Sequence, residues 1–299
     1  MISNRPYKHP KDYTKIISFL REMYSLNRNQ TCWLPQRWED LEFRIRTLYL
    51  DRGGPDWHDS IQVWEDDGKI VGICHDEDND TTFMQIRNKY DKLFAEMLNW
   101  TESRKSSEIV ALDSCDYKNK ELTKRGYKKA EVGCYHNYQF LNKEFKVILP
   151  VNYEIVFGDE ITDKMTKAKA CHLGFHPEDE GNDEKAIELI KNSYLSREKA
   201  PMFDYRYETM TRLKNGELTS YLYGWVDKKT KTAMVEPVST RLEHRHKGLG
   251  KAMLVALLKR LKEDGIEICM VESFDDNRKN FYNSAGFITR DIDFGWKKN

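Results

Sequence analysis

The chain has 299 residues, 39% hydrophobic, 33% charged and 12% aromatic, enough for two ordinary domains or one large one around a sizeable core. Its 49 Lys plus Arg balance 49 Asp plus Glu and the isoelectric point is about 7.1. This excludes a globally basic nucleic-acid binder and makes any phosphate-seeking charge a local patch. Mean hydropathy is -0.78, no apolar stretch nears the ~18 residues that cross a bilayer, and the opening Met-Ile-Ser-Asn-Arg-Pro-Tyr-Lys lacks the apolar core of a signal peptide. A cytoplasmic protein with no membrane partner is expected.

In chain order, residues 60–64 and 69–74 read as strands joined by the turn Glu65-Asp66-Asp67-Gly68. A helix is expected over 88–104, where Tyr90, Leu93, Phe94, Met97 and Leu98 fall at helical spacing. A short apolar strand, 109–112, leads to Glu121-Leu-Thr-Lys-Arg-Gly-Tyr127, and a run at 135–141 closes the unit. After Pro150 a new strand starts at 153–157 and the order recurs: strands near 204–213, 218–227 and 232–239, a long helix, a strand at 266–273 and a second Gly-aromatic ending. Two similar units, 1–145 and 150–299, describe this better than one fold, with the boundary near 142–152.

The acidic stretch 177–184 is expected to be a solvated loop entering a helix at 185–192. The cysteines at 32, 74, 115, 134, 171 and 269 form no CxxC pair and no zinc spacing, so they are expected to be reduced thiols, with no metal. Cys269, in an apolar run, reads as a buried structural thiol; Cys171 and His172 are helix neighbours that point apart. Trp33, Trp38, Trp57, Trp64 and Trp100 read as core rather than as a base-stacking platform.

The most informative segment runs from Val235 to Lys251: a strand, a cationic turn, then a helix. Ala252, Met253, Leu254, Val255, Leu257, Leu258 and Leu261 mark the helix, and Gly265 its stop. First-turn N–H groups have no intrahelical acceptors and carry the positive end of the macrodipole, so an anion there gains several hydrogen bonds. Gly248 and Gly250 permit close approach, and His244, Arg245, His246, Lys247 and Lys251 add charge. A Walker A loop needs glycine where Arg245 stands and a hydroxyl where Ala252 stands. A dinucleotide fingerprint needs a third glycine at Met253.

What remains, Arg245-x-x-Gly248-x-Gly250 between a strand and a helix, followed by Asn277-Arg-Lys-Asn-Phe-Tyr-Asn-Ser-Ala-Gly-Phe287, resembles the acyl-CoA-dependent N-acetyltransferases of the GNAT superfamily. The resemblance covers 153–299 well. The first unit has only the Gly-aromatic ending at Gly126-Tyr127, and Thr81 to Asn88 before its helix contains no glycine. The whole resembles a tandem GNAT protein with a degenerate N-terminal copy. The implied fold is α/β (α+β): two GNAT-like domains, each a mixed, mostly antiparallel sheet with a splayed central strand pair flanked by helices.

The resemblance implies acetyl-CoA as cofactor, its pyrophosphate on Arg245, His246, Lys247, Gly248, Leu249, Gly250 and Lys251. Pantetheine would lie along Val238, Ser239 and Thr240, with the Val238 and Thr240 N–H groups as donors; Pro237 has none. Asn277 and Arg278 would sit near the pantetheine or adenosine end. An ammonium has no lone pair, so a base must take its proton. Glu236 reads either as that base or as a carboxylate paired with nearby cations, with Glu272 in reserve. Tyr282 reads as the acid for the leaving thiolate or as a core aromatic. The implied function is direct acetyl transfer to an amine of a small molecule or peptide, selected by residues 160–203 and the facing surface of the first unit. The alternative is a non-catalytic CoA-binding or regulatory module.

Overall fold

The computed structural model describes residues 1–26, 33–77, 81–104, 108–179 and 183–298; Cys32 and residues 180–182 of the acidic stretch lie outside the described residues. The first half builds β1 (Ser3–Pro6), α1 (Tyr13–Leu26), and a continuous helical run of α2 (Pro35–Asp40), a π turn (Leu41–Ile45) and α3 (Arg46–Asp51). Then follow β2 (Gln62–Asp66), β3 (Lys69–Glu77), β4 (Thr81–Ile86), α4 (Leu93–Ser103), β5 (Glu108–Leu112), α5 (Asp116–Lys124) and β6 (Lys128–Phe140). The second half repeats the order with β7 (Tyr153–Phe157), α6 (Lys164–Phe175), α7 (Glu184–Arg197), β8 (Glu208–Leu213), β9 (Leu218–Asp227) and β10 (Thr232–Thr240). It ends with α8 (Leu249–Glu263), β11 (Ile268–Ser273), α9 (Asp276–Ser284) and β12 (Ile288–Lys297).

The twelve strands of the described residues join one sheet, in the order β1-β2-β3-β4-β5-β12-β6-β11-β10-β9-β8-β7. Its two flanks mirror one another, and the last strand of each half has crossed to the other: β12 pairs with β5, β6 pairs with β11, and β6 and β12 pair together. The expected pair of sheets is thus a single continuous one. Pairing is parallel at β4–β5 and β10–β11 and antiparallel at the other junctions.

β9 shows why the second half holds its shape. All ten of its residues are buried, because helices cover both faces. Tyr221, Tyr223 and Trp225 pack on one side with Tyr194 of α7 and Cys171 of α6, while Leu222 and Val226 pack on the other with Leu254, Leu257 and Leu258 of α8. Gly224 lets α8 approach closely: a Cβ there meets the Leu257 side chain at 3.0 Å. Trp33, Trp38, Trp57 and Trp64 are buried in the first half, and the five described cysteines are buried and free. Among the described residues no helix is long and apolar enough to cross a membrane.

Strands at 153–157 and 218–227 occur at the expected bounds. The helix expected from residue 88 starts at Leu93, because Arg87 to Lys92 form turns with Lys89 at φ 76°. The strand expected from 204 starts at Glu208, after a 3-10 turn capped by the Asp204 side chain. The helix expected at 185–192 runs to Arg197, with Asp183 capping it by accepting from the Ala186 N–H at 2.8 Å. His172 bonds Asp179 rather than Cys171.

Candidate active site

The site begins where β10 and β11 part. They pair in parallel from Thr232–Ile268 to Met234–Met270 and no further; beyond, β10 follows β9 to Thr240 while β11 follows β6 to Ser273. A bulge between Val235 and Val238 in the β9–β10 ladder places Glu236 at the fork. The Arg241 N–H donates to Thr219 O at 3.0 Å. Since bonded and non-bonded pairs alternate along an antiparallel ladder, the N–H groups of Val238 and Thr240 point away from β9, into the gap.

Past Thr240 the chain makes a short 3-10 turn and two left-handed steps, His246 at φ 58° and Gly248 at φ 81°, before α8 begins at Leu249. Gly248 takes a conformation that costs an L side chain about 1–2 kcal/mol, and a Cβ there projects into open space. Gly250 serves close packing, since its Cβ meets Phe281 of α9 at 3.3 Å. The unbonded N–H groups of the first turn of α8 therefore face the gap without side-chain cover.

Every residue assigned above to catalysis or to the cofactor lines one cleft of 790 Å³, except Lys247. Lys247 donates instead to Glu243 O at 2.8 Å. Arg245 lines the cleft, yet its guanidinium is engaged with backbone, donating to Thr240 O at 3.0 Å and Gly174 O at 2.7 Å. It ties the end of β10 to the end of α6. His244 bonds the Tyr153 hydroxyl at 2.9 Å, and burial pushes its pKa down, so it adds little positive charge. Lys251 and Arg278 line the cleft as cations, Arg278 with an ion pair to Asp275, and the His246 imidazole lines it beside them. Free N–H groups, glycines and cations around an elongated space fit a diphosphate-bearing ligand.

Glu236 is one-third exposed, and Arg44 of the π turn pairs with it at 3.6 Å. Burial pushes its pKa up; Arg44 and Arg37 oppose this, while Asp40 and Glu272 add to it. Both readings of Glu236 thus have support: it is a carboxylate near cations, and its proton affinity is raised. Tyr282 likewise does two things: its ring packs on Phe281 and Phe287 in the core while the residue lines the cleft. Burial, then Glu236, holds its phenol protonated.

Four residues facing this centre carried no assignment in the sequence: Arg37, Asp40, Arg44 and Glu77. Arg37 lies 3.9 Å from Glu272 and 2.6 Å from Glu77; Arg44 grips Asp40 at 2.5 and 2.6 Å. The spacing 37, 40, 44 is that of one helix face, the only local hint, and nothing local says that the face meets a strand two hundred residues away. Phe175, Phe274 and Phe281 also line the cleft.

In the first half a side chain spans the equivalent gap. Register equates Thr81 with Thr232 and Glu108 with Ile268, so Gln85 stands where Glu236 stands and Leu122 where Tyr282 stands. The path from Thr81 to Leu93 is five residues shorter than that from Thr232 to Leu249. Buried Lys118, at the place of Arg278, donates to Met84 O at 2.7 Å across the gap.

This is the architecture of the GNAT acetyltransferases in tandem. A GCN5-related N-acetyltransferase from Sphaerobacter thermophilus superposes with a TM-score of 0.64 at 13% identity, over 99% of this chain and 95% of that one. A tandem GNAT protein from the clavulanic acid biosynthesis pathway gives 0.63 at 14%, over 99% and 98%. A GNAT-family acetyltransferase from Colwellia psychrerythraea gives 0.62 at 13%, over 99% and 100%. These superpositions, at such low identities, establish the shared fold alone. No curated protein matches the chain. Residues 175–287 match the acetyltransferase (GNAT) family model, whose members transfer an acyl group from an acyl-CoA.

Proposed function

We propose that the chain is an N-acetyltransferase that moves an acetyl group from acetyl-CoA to an amine, with residues 150–299 forming the acyl-CoA domain and 1–145 a degenerate copy that walls the acceptor side. The observation that carries this is the free edge of β10: two N–H groups aimed into a cleft that has the N-terminus of α8 at one end and Glu236 at the other. The bound thioester supplies the activated acetyl group. The first turn of α8 with Lys251 and Arg278 holds the diphosphate, and Val238 and Thr240 hold the pantetheine and stabilise charge on the carbonyl oxygen. Glu236 takes one proton from the ammonium, freeing its lone pair; the C–N bond forms as the C–S bond breaks. Tyr282 protonates the sulfur and is restored by the second amine proton. Free cysteines throughout the described chain support a cytoplasmic compartment.

Two measurements test this together: calorimetric titration with acetyl-CoA, and amine-dependent release of free thiol. One equivalent bound with turnover is expected. Binding without turnover on any amine would leave a CoA-binding module, and no binding would remove the proposal.

A further inference from the structure

A second cavity, of 260 Å³, opens off the cleft between the two halves and shares Glu272 and Phe274 with it. Its walls come from both halves, because the strand exchange brings β5, β12, β6 and β11 side by side. Trp33, Phe83 and Phe274 give it aromatic surface. Among the described lining residues four carboxylates, Glu77, Glu108, Glu272 and Asp293, face one guanidinium, Arg37. Arg37 is held by Glu77 at 2.6 Å. His136 bonds Asp293 at 2.9 Å, and Lys297 reaches Glu108 at 3.0 Å. Glu272, at the junction with the cleft, is left with long ion-pair contacts, 3.9 Å to Arg37 and 3.8 Å to His136. Among the described residues the lining itself carries more carboxylates than cations. Glu77 feels this: burial pushes its carboxyl pKa up against the pull of Arg37, and Glu272 adds to the rise. A cation brought between these groups offsets that burden, and the aromatic faces favour it further.

We propose that this cavity is the acceptor subsite and that the acceptor is a compact aliphatic diamine, one amine presented to Glu236 and the second ammonium held among Glu77, Glu108 and Glu272; the inference rests on the acetyltransferase assignment above. The space equals about eight or nine waters at ~30 Å³ each, which suits a short diamine and not a folded protein's N-terminus.

The test compares 1-aminobutane, 1,4-diaminobutane and 1,5-diaminopentane as acceptors by free-thiol release. A diamine is expected to exceed the monoamine in kcat/KM by at least tenfold. Glu77→Gln and Glu108→Gln should each narrow that preference at least fivefold, chiefly through KM of the diamine; Glu108, at the rim, serves if the Glu77 variant folds poorly. Equal efficiency of monoamine and diamine, or a preference untouched by both variants, overturns the inference. Calorimetry with 1,4-diaminobutane, with and without saturating CoA, separates the two claims. Heat from the diamine but none from acetyl-CoA would sink the enzymatic assignment and with it the acceptor role, leaving only a diamine-binding cavity, whereas heat from acetyl-CoA but none from the diamine under either condition would sink the subsite alone.

Discussion

Under the proposed function Glu236 and Tyr282 each combine a structural and a chemical role, and substitution can separate them. Glu236→Gln keeps the shape and removes the base, so kcat is expected to fall about 10²- to 10⁴-fold while calorimetry finds the acetyl-CoA Kd within about twofold of wild type. The base acts in its ionised form and its pKa is raised above the ordinary 4.5. Activity should therefore be present at neutral pH and decline, as pH falls, at a value above 4.5; the pH-rate profile reads that limb directly, and the limb should be missing from the variant. Tyr282→Phe removes only the hydroxyl and should lower kcat with little change in melting temperature. Tyr282→Ala also empties a core position and should lose about 3–5 kcal/mol of stability, measured by urea unfolding. Glu236 was legible in the sequence because it ends a strand beside the glycine turn. The cations that surround it were not, because Arg37 and Arg44 arrive through tertiary packing.

At the scale of elements, the turn from β10 to α8 was readable because its geometry is local. Glycine at a left-handed position and a helix start are properties of a few consecutive residues. Gly248→Ala should cost about 1–2 kcal/mol in strain and place a methyl group in the open mouth of the cradle, weakening acetyl-CoA binding at least tenfold by calorimetry without altering the far-UV circular dichroism. The role of Arg245 was less readable, since a motif shows the residue and not the carbonyls of Thr240 and Gly174 that occupy it. A second junction, invisible in the sequence, locks α6 and α7 to the sheet: buried Glu208 of β8 accepts from Lys167 at 2.5 Å, Arg197 at 2.7 Å and the Tyr221 hydroxyl at 2.5 Å. Burial opposes ionisation of Glu208, but Arg197 and Lys167 pull its pKa below the ordinary value. Its contribution is therefore complete above the unfolded carboxylate pKa and is lost as pH falls through the lowered folded value. Glu208→Ala strands two buried cations and should destabilise by about 3–5 kcal/mol, seen as a lowered urea midpoint at pH 7.

For the molecule as a whole, the repeat was legible because each half spells the same order of strands and helices, and under the proposed function the Lys118 bond across the first-half gap predicts one acetyl-CoA per chain rather than two. The exchange of β6 and β12 was not legible, since a strand's pattern specifies which face it buries but not which neighbour it chooses. That choice has a mechanical consequence. β12 supplies the partner for β5 through Asp293–Leu112, Phe294–Ala111 and Trp296–Ile109, and it flanks β6 along the opposite edge. Trp296 is buried with Ile109, Leu122 and Tyr127 in the core of the first half. Deleting residues 288–298 should therefore expose the central edges of β5 and β6 and unfold the first half as well as the second, although every residue of the first half remains. Hydrogen exchange followed by mass spectrometry measures this: amides of β4 and β5 are expected to lose protection together with those of β10 and β11. Protection retained in β4 and β5 would mean that the first half closes on its own and that the exchanged strands only adjoin two independent folds.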